Sequence, residues 1–307
     1  MSMKKVAVLG AAGKMGSWFA SYFAARGHQV AAFDVRPFAI KSVSITRAKS
    51  VAECAGAAEL AVVCVPVKST PALVRECAGY MKAARGGGAI AEISSVKSGT
   101  FPAMKKLPAG ILPLCIHPMF GPGADPDRQL RMLLVPVRDG KGEEEFVKRT
   151  FAGMSVKVLP DARTHDRAIA AVLGLTYFVN VAYAGMLSKE KLDVLKGIGG
   201  TTFAVQSMLA ESVMTDESEL VAALLRDNPY SARYIGQYLK SAAELARLAS
   251  GRSGRLEAQV KKIQGLLQKQ QNLQASYKKM YEMLQSSSPS SSSSPQSPAA
   301  AAGDRKN

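Results

Sequence analysis

VAVLGAAGKMGSWF, at residues 6–19, decides the fold class of this chain. Four apolar residues lead into three glycines, Gly10, Gly13 and Gly16, and an aromatic-rich helical pattern follows. A strand, a glycine-rich turn and a helix in this order form the first unit of a doubly wound α/β domain, where a helix amino terminus can hold a pyrophosphate. The spacing is GxxGxxG rather than GxGxxG, so the surrounding strand and helix carry the prediction more than the glycines do.

Further apolar runs alternate with helical patterns through the first half of the chain. Continuous apolar strands separated by helices indicate a parallel sheet that is covered on both faces. We therefore expect a Rossmann-like, doubly wound parallel sheet over residues 1–160. After 4–10, its predicted strands are 28–34, 59–67, 88–94, 111–117, 131–137 and 156–159.

The character of the sequence changes after Pro160, where strand-like runs end and helical spacing of apolar residues begins. The predicted helices are 161–187, 201–226 and 228–249, followed by one long polar helix over 255–284. We expect residues 161–285 to form an all-α domain, whose last helix packs on the other helices or on a partner subunit. Residues 286–307 are rich in Ser, Pro and Ala, a composition that predicts a disordered tail.

Composition and charge narrow the class of protein. The chain has 307 residues and a formal net charge of +16, and the surplus lies in residues 1–150 and 251–307. A positive field suits an anionic substrate and cofactor, and a nucleic-acid partner would also use it. The charge is equally compatible with a basic surface that has no partner. The four cysteines show no CxxC spacing, which favours reduced thiols in the cytoplasm over disulfides or zinc. No continuous apolar run of membrane-spanning length and no signal peptide is apparent.

The glycine loop and the acid after the second strand predict an NAD site. Asp34 lies 18 residues after Gly16, where a carboxylate accepts hydrogen bonds from the adenosine ribose and repels a 2′-phosphate. Arg36 lies two residues further on, and its guanidinium leaves NADP open as an alternative. Lys14 and Met15 lie inside the same glycine loop and complete its predicted cofactor contacts.

Candidate catalytic residues lie at the ends of two predicted strands. His117 ends an apolar strand, where a neutral imidazole can take a proton from a substrate hydroxyl while hydride leaves the same carbon. Ser95 and Lys97 follow the preceding strand and emerge at the same edge, although a serine there also suits a helix N-cap. No metal site is predicted.

EISSVKSG at 92–99, followed by HPMFGP at 117–122, resembles the prephenate dehydrogenase (TyrA) family. AVVCVPV at 61–67 and THD at 164–166 fit the same pattern, and the opening glycine loop is similar to archaeal-type members. The resemblance implies NAD-dependent oxidative decarboxylation of prephenate to 4-hydroxyphenylpyruvate by a homodimer. It implies that His117 polarises the ring hydroxyl with help from Ser95, that Lys97 acts near the site, and that Val65 and Pro66 contact the cofactor.

Two departures from the family pattern leave the substrate open. A family arginine that grips a substrate carboxylate aligns with Ser212, and the aromatic residue nine positions later aligns with Val221. A helical histidine of the family is here Tyr177. Arogenate, or another hydroxyacid-type substrate, is therefore an alternative to prephenate, and a non-catalytic NAD-binding protein is a third hypothesis. The candidate replacement cations are Arg163, Arg167, Arg226 and Arg233.

Overall fold

The computed structural model describes residues 5–40, 42–85, 87–251 and 254–286. Its centre is an eight-stranded sheet in the order β3-β2-β1-β4-β5-β6-β7-β8. Every neighbouring pair is parallel except β6 and β7, which run antiparallel. The strands are β1 Lys5–Leu9, β2 Gln29–Phe33, β3 Ile45–Arg47, β4 Leu60–Val63, β5 Gly88–Glu92, β6 Ile111–Pro118, β7 Arg131–Val135 and β8 Ser155–Val158.

Helices connect most of the strands and then continue without strands to residue 286. Two stretches, Ala170–Gly174 and Ala223–Asp227, are π-helical turns within longer helices. The helices are α1 Lys14–Ala25, α2 Val51–Gly56, α3 Thr70–Arg85, α4 Phe101–Lys105, α5 Gly140–Thr150, α6 Ala162–Ile169, α7 Leu175–Leu187, α8 Leu192–Ile198, α9 Thr201–Val213, α10 Ser218–Ala222, α11 Ser231–Ala249, α12 Arg255–Gln268 and α13 Leu273–Ser286.

The alternation of side chains along β1 shows why both faces of the sheet are covered. Val6 and Val8 belong to one apolar cluster with the aromatic residues of α1. Ala7 and Leu9 belong to a second cluster with residues of α2 and α3. A central strand whose alternate residues enter two different cores needs to be apolar throughout. The doubly wound fold predicted from the strand pattern is thereby confirmed.

The structure corrects four details of the predicted fold. The predicted helix 201–226 ends at Val213, and α10 begins at Ser218 after a turn. β7 is antiparallel to β6, whereas a fully parallel sheet was expected, because β7 starts at the edge where β6 ends: the Met119 amide bonds Arg131 O at 2.9 Å. The short strand β3 was not predicted. The predicted single helix 255–284 is wrong, since it breaks into α12 and α13, and Asn272 caps the second through its side chain and the Ala275 amide.

The described helices group into two compact units. Among the described residues, unit 1 contains 5–40, 42–85, 87–186 and 210–243, and unit 2 contains 187–209, 244–251 and 254–286. The predicted boundary at residue 160 marks the change from strands to helices; as a domain boundary it stays a prediction. The predicted tail at 286–307 lies, apart from residue 286, outside the described residues.

One helical stretch, Ala162–Leu187, is long and apolar enough by length and composition to cross a membrane, although 22% of its most apolar window is buried within the structure. The sequence pattern did not expose it, because His165, Asp166 and Arg167 interrupt its first turns. A core or interface helix passes the same test. Its first turns lie against the sheet domain through the side chains described below.

Candidate active site

Five strands deliver the predicted site residues to one edge of the sheet. β1, β2, β4, β5 and β6 run in the same direction, so the residues after each carboxyl end lie along this edge. Open parallel sheets bind their ligands outside these carboxyl ends. The loops concerned are 10–16, 34–36, 64–69, 93–100 and 117–124.

The glycine loop between β1 and α1 is packed too closely for side chains. Gly10 has φ of +89°, and a Cβ atom built there would lie 2.2 Å from the carbonyl oxygen of Cys64. A Cβ atom at Gly16 would lie 2.0 Å from the carbonyl oxygen of Gly10. These glycines therefore let α1 begin directly against the strand. No side chain caps α1 and its first turn has no acidic residue, which suits a phosphate at this end.

Asp34 lies beside the glycine loop with its carboxylate held in place. Its Oδ2 accepts a hydrogen bond from the Ala12 amide at 3.0 Å, and its Oδ1 accepts one from the Arg36 amide at 2.9 Å. The Arg36 guanidinium lies 3.5 Å from the same carboxylate and is 62% exposed. The carboxylate is thus fixed beside the glycine loop, while Arg36 extends into solvent.

The remaining predicted cofactor residues surround this loop. The Lys14 ammonium donates a hydrogen bond to the carbonyl of Thr215, which ties the loop to the turn after α9. Met15 is half-buried against the apolar cluster that contains Val6, Val8 and the aromatic residues of α1. Val65 packs on Gly10, and the hydroxyl of Thr70 donates to the carbonyls of Val65 and Pro66. All these residues therefore lie within one stretch of the sheet edge.

His117 occupies the next-to-last position of β6 and belongs to a chain of hydrogen bonds. Its Nδ1 atom lies 3.0 Å from Nε2 of His165, and Nδ1 of His165 lies 2.8 Å from Oδ1 of Asp166. His117 is 3% exposed and His165 is fully buried. In the part of the chain that the structure describes, nothing bonds the Nε2 atom of His117. This nitrogen is therefore available to a substrate.

Asp166 is anchored by the backbone of the loop that follows β5. The amides of Lys97 and Ser98 donate to its two carboxylate oxygens, each at 2.7 Å. The side-chain amide of Asn228 donates to the Asp166 carbonyl at 2.9 Å. Asp166 thus holds the start of α6 against the loop that carries Ser95.

Burial and hydrogen bonding set the charges of this cluster. Burial lowers the pKa of His117 well below its ordinary value, and neighbouring His165 and Lys97 lower it further. Burial also lowers the pKa of His165, although its bond to Asp166 opposes the effect. Burial alone would raise the pKa of Asp166, but the bonds from His165, Lys97 and Ser98 outweigh it and lower that pKa. Both imidazoles are therefore neutral at pH 7, and the carboxylate is ionised.

Lys97 and Ser95 occupy very different environments. The Lys97 ammonium is fully buried, 2.5 Å from Oε1 of Glu92 and 2.6 Å from the carbonyl of Ile116. It braces the strand that carries His117 and does not lie open to a substrate carboxylate. Ser95 is half-buried and bonds to no described residue, whereas its neighbour Ser94 contacts Thr70 at 3.3 Å. Ser95 therefore keeps its hydroxyl free.

The two departures from the family pattern occupy different surroundings. The Tyr177 hydroxyl donates to Oδ2 of Asp216 at 2.6 Å, and burial together with that carboxylate raises the Tyr177 pKa. Asp216 adjoins Thr215, which binds Lys14 of the glycine loop. Ser212 is exposed on α9. All four candidate arginines are exposed as well, and Arg226 pairs with its neighbour Asp227 at 2.7 Å.

Sequence reasoning missed three members of this site. His165 and Asp166 were noted only as part of THD, and Glu92 only as the start of EISS. The available signal was the presence of polar residues next to apolar runs. Glu92 ends an apolar strand, and His165 and Asp166 precede a long apolar helix. Among the described residues, no group of three or more His, Cys, Asp or Glu side chains is arranged to hold a metal ion.

Comparisons with known proteins show what this chain is similar to. Residues 5–106 match the model of the NAD binding domain of 6-phosphogluconate dehydrogenase. A Methanocaldococcus jannaschii protein named "Probable arogenate/prephenate dehydrogenase" is 26% identical over 200 residues, which are 62% of this chain and 44% of that protein. The chain spans about half the length of the curated relatives it matches.

Two solved structures share the fold. The arogenate dehydrogenase of Synechocystis superposes with a TM-score of 0.60 at 17% identity, covering 86% of this chain and 99% of that one. The prephenate dehydrogenase of A. aeolicus, in complex with hydroxyphenyl propionate and NAD+, gives 0.59 at 17% identity, covering 88% and 99%.

The glycine loop, the anchored Asp34 and the matched domain model define a protein of the NAD-binding dehydrogenase class. Within that class, the resemblance to the prephenate dehydrogenase (TyrA) family is confirmed by the curated relative named above, and the two solved structures share the fold. The expected cofactor is accordingly NAD, and the residues of the loop fit it.

Proposed function

We propose that this protein oxidises and decarboxylates prephenate to 4-hydroxyphenylpyruvate, with NAD+ as the hydride acceptor. The observation that supports it best is His117, a buried neutral imidazole at the edge that carries the glycine loop, with Nε2 unbonded by described residues. The family resemblance supplies the substrate. Since the chain spans about half of its curated relatives, the activity is a proposal for this chain's own residues.

His117 acts as the base on the ring hydroxyl. Its Nε2 draws the hydroxyl proton as the C–H bond of the same carbon breaks, and the bonding pair leaves with hydrogen as hydride. The ring carboxylate then departs as CO2, and its electron pair completes the aromatic ring. The oxygen regains its proton as a phenol, so that no net proton is released. Ser95, with its free hydroxyl, donates to or accepts from the same oxygen.

NAD+ supplies the hydride acceptor when it is bound. The protein's part is to hold it: the amino terminus of α1 and Gly10, Gly13 and Gly16 receive the pyrophosphate, and Asp34 receives the ribose diol. We assign Lys14, Met15, Val65 and Pro66 to the walls of this site. Lys97 is assigned a positioning role, because its ammonium holds the Ile116 carbonyl directly before His117.

The test is NADH formation, followed by absorbance, with prephenate and arogenate, each offered with NAD+ and NADP+. We expect prephenate with NAD+ to give the highest kcat/KM. His117→Asn should lose activity by about 10²–10⁴-fold, the usual contribution of general base catalysis, while NAD+ affinity and Tm are retained. His28→Asn, at the far end of α1, is the matched control and should stay active. NAD+ binding without turnover of either substrate would reject the proposal and favour the non-catalytic hypothesis.

Arogenate is a second candidate, and the Tyr177–Asp216 pair favours it. Arogenate carries an ammonium where prephenate carries a ketone, and a carboxylate beside the cofactor loop would attract that group. Asp216→Asn should then lower kcat/KM for arogenate by about 10-fold or more, as loss of a charged hydrogen bond does, and leave prephenate unchanged. An equal loss for both substrates would reject this role.

We further propose a cytoplasmic homodimer formed through the helical region. All four cysteines are described and are free thiols, as expected in a reducing compartment. Large apolar side chains are exposed on the helices, and light scattering of the purified chain tests whether a second copy covers them. Those in unit 1 include Val172, Met186 and Leu239; those in unit 2 include Val194, Ile198 and Met208. A monomer at micromolar concentration would reject the proposal.

A further inference from the structure

We propose that His165 and Asp166 act as positioning residues that fix His117 in the tautomer with its proton on Nδ1 and its lone pair on Nε2. The catalytic role of His117 rests on the proposed function, whereas its tautomer follows from the hydrogen bonds alone. It follows from which atom must be the donor and which the acceptor in each hydrogen bond that links His117, His165 and Asp166.

Asp166 determines which atoms donate and which accept in these hydrogen bonds. Its carboxylate already accepts two backbone amides, from Lys97 and Ser98, and its lowered pKa keeps it ionised. An ionised carboxylate has no proton to donate. The 2.8 Å bond to His165 must therefore be donated by Nδ1–H of His165.

The same argument applies to the imidazole ring of His165. A neutral imidazole carries one N–H, so His165 with its proton on Nδ1 has only a lone pair at Nε2. This lone pair can only accept, and the 3.0 Å bond must be donated by Nδ1–H of His117. His117 is neutral and has spent its one proton there. Its Nε2 consequently presents a lone pair, which is the form that a base on a substrate hydroxyl requires.

The arrangement also favours the imidazolium that forms when His117 draws a proton. The charge on His117 is then bonded through His165 to a carboxylate, as in hydrolase triads where the acid orients the histidine and stabilises its charged form. The charged groups that face His165 are Asp166, Lys97 and Glu92, and those that face His117 are His165 and Lys97. Lys97 is paired with Glu92, so Asp166 supplies the negative charge that stabilises the His117 imidazolium through His165.

The tautomers can be observed directly by nitrogen-15 NMR of histidine rings in the full chain. The chain has three histidines, and His28→Gln leaves only His117 and His165. At neutral pH, we expect both remaining rings to show a protonated Nδ1 and an unprotonated Nε2. This is the reverse of the tautomer that free neutral histidine prefers. A protonated Nε2 on either ring would overturn the proposal, and this outcome does not depend on whether the substrate has been identified.

Kinetics then separate positioning from a merely structural role. His165→Leu removes the acceptor, and we expect kcat to fall by about 10²-fold or more with the KM for NAD+ unchanged. His165→Gln places an amide carbonyl that can accept from His117, and it should restore most of that loss. A leucine variant as active as the glutamine variant would reject the proposal. If the leucine variant does not fold, the NMR spectrum of the His28→Gln protein still decides.

Discussion

Lys97 and Glu92 form an ion pair of 2.5 Å in which neither side chain is exposed to solvent. The pair joins the end of β5 to the loop after it, and the second bond of Lys97, to Ile116, reaches β6. The strand ends that carry the candidate base and its serine are thus joined beneath the site. Removing either charge leaves the other buried without an opposite charge to pair with.

Lys97→Met should therefore destabilise the fold. We expect a loss of about 3–5 kcal/mol in the free energy of unfolding, the usual cost of leaving a buried charge unpaired, measured by urea denaturation. Lys97→Met combined with Glu92→Leu should recover much of it. The matched control is Lys148→Met, which breaks an exposed pair with Glu144 at 2.6 Å and should cost about 1 kcal/mol or less. Similar losses for the two lysines would contradict a structural role for Lys97.

Activity should persist into mild acid. The base must be neutral, and the pKa of His117 is lowered well below its ordinary 6.5. As the pH falls from 8 to about 6.5, the neutral fraction stays nearly complete, so kcat/KM should stay flat and fall only at lower pH. A pH profile of kcat/KM measures this. An acid limb centred at or above 6.5 would show that His117 is not the titrating base or is not buried in the working enzyme.

Stability should depend on pH in the same direction. His117 and His165 have lowered pKa values in the folded state, so the unfolded chain binds more protons below the ordinary value of 6.5. The free energy of unfolding should then decrease as the pH falls from about 6.5 towards their folded-state pKa values. Urea denaturation at a series of pH values tests this. His165→Gln should flatten the decrease, and an unchanged slope would contradict the assignment.

Arg36 should support turnover with NADP+ without affecting NAD+. Its guanidinium is exposed beside the loop, where a 2′-phosphate would lie, whereas the Asp34 carboxylate is fixed by two amides. Arg36→Gln should reduce kcat/KM for NADP+ by about 10-fold or more, as loss of a charge-assisted hydrogen bond does, and leave NAD+ within about 2-fold. Initial rates with both cofactors measure it. A comparable loss with NAD+ would place Arg36 on a group that the two cofactors share.

Gly16→Ala should weaken NAD+ binding through packing alone. The added Cβ would lie 2.0 Å from the Gly10 carbonyl oxygen, so α1 must shift from β1. We expect a cost of about 1–3 kcal/mol, typical of overpacking, in stability or in NAD+ affinity by calorimetry. Gly79→Ala in α3 is the matched control, because nothing lies within 4 Å of its Cβ position. It should be neutral or stabilising by about 0.5–1 kcal/mol, and equal effects would contradict the packing argument.

The strand pattern predicted most of the sheet because burial on both faces makes β4, and β1 from Val6 onward, apolar throughout. The same signal cannot reveal direction: RMLLV in β7 is as apolar as a parallel strand, and its antiparallel course depends on where the loop after His117 returns. β3 is only three residues long and two of them are polar, so only its pairing with β2 identifies it as a strand. The break between α12 and α13 was visible only as Asn272, a residue that favours helix starts.

The site was predictable where a local motif fixes geometry, and not where distant residues meet. Gly10, Gly16 and Asp34 follow from the strand–turn–helix pattern. The partner of His117 is 48 residues away in sequence, and nothing in HPMFGP indicates it. Lys97 was expected at the surface of the site, but the buried Glu92 draws its ammonium inward. Sequence spacing cannot show whether a long side chain after a strand extends into the site or into the protein interior.

The π-helical turn at Ala170–Gly174 bears on how the chain should be aligned with its relatives. Each residue of an α-helix advances about 100° around the axis, so the one residue that a π turn adds rotates everything after it relative to everything before. Positions from Leu175 onward cannot be matched to a relative by counting from His165 unless that relative carries the same extra residue. The correspondence of Tyr177 with a family histidine therefore depends on a structural superposition rather than on a residue count.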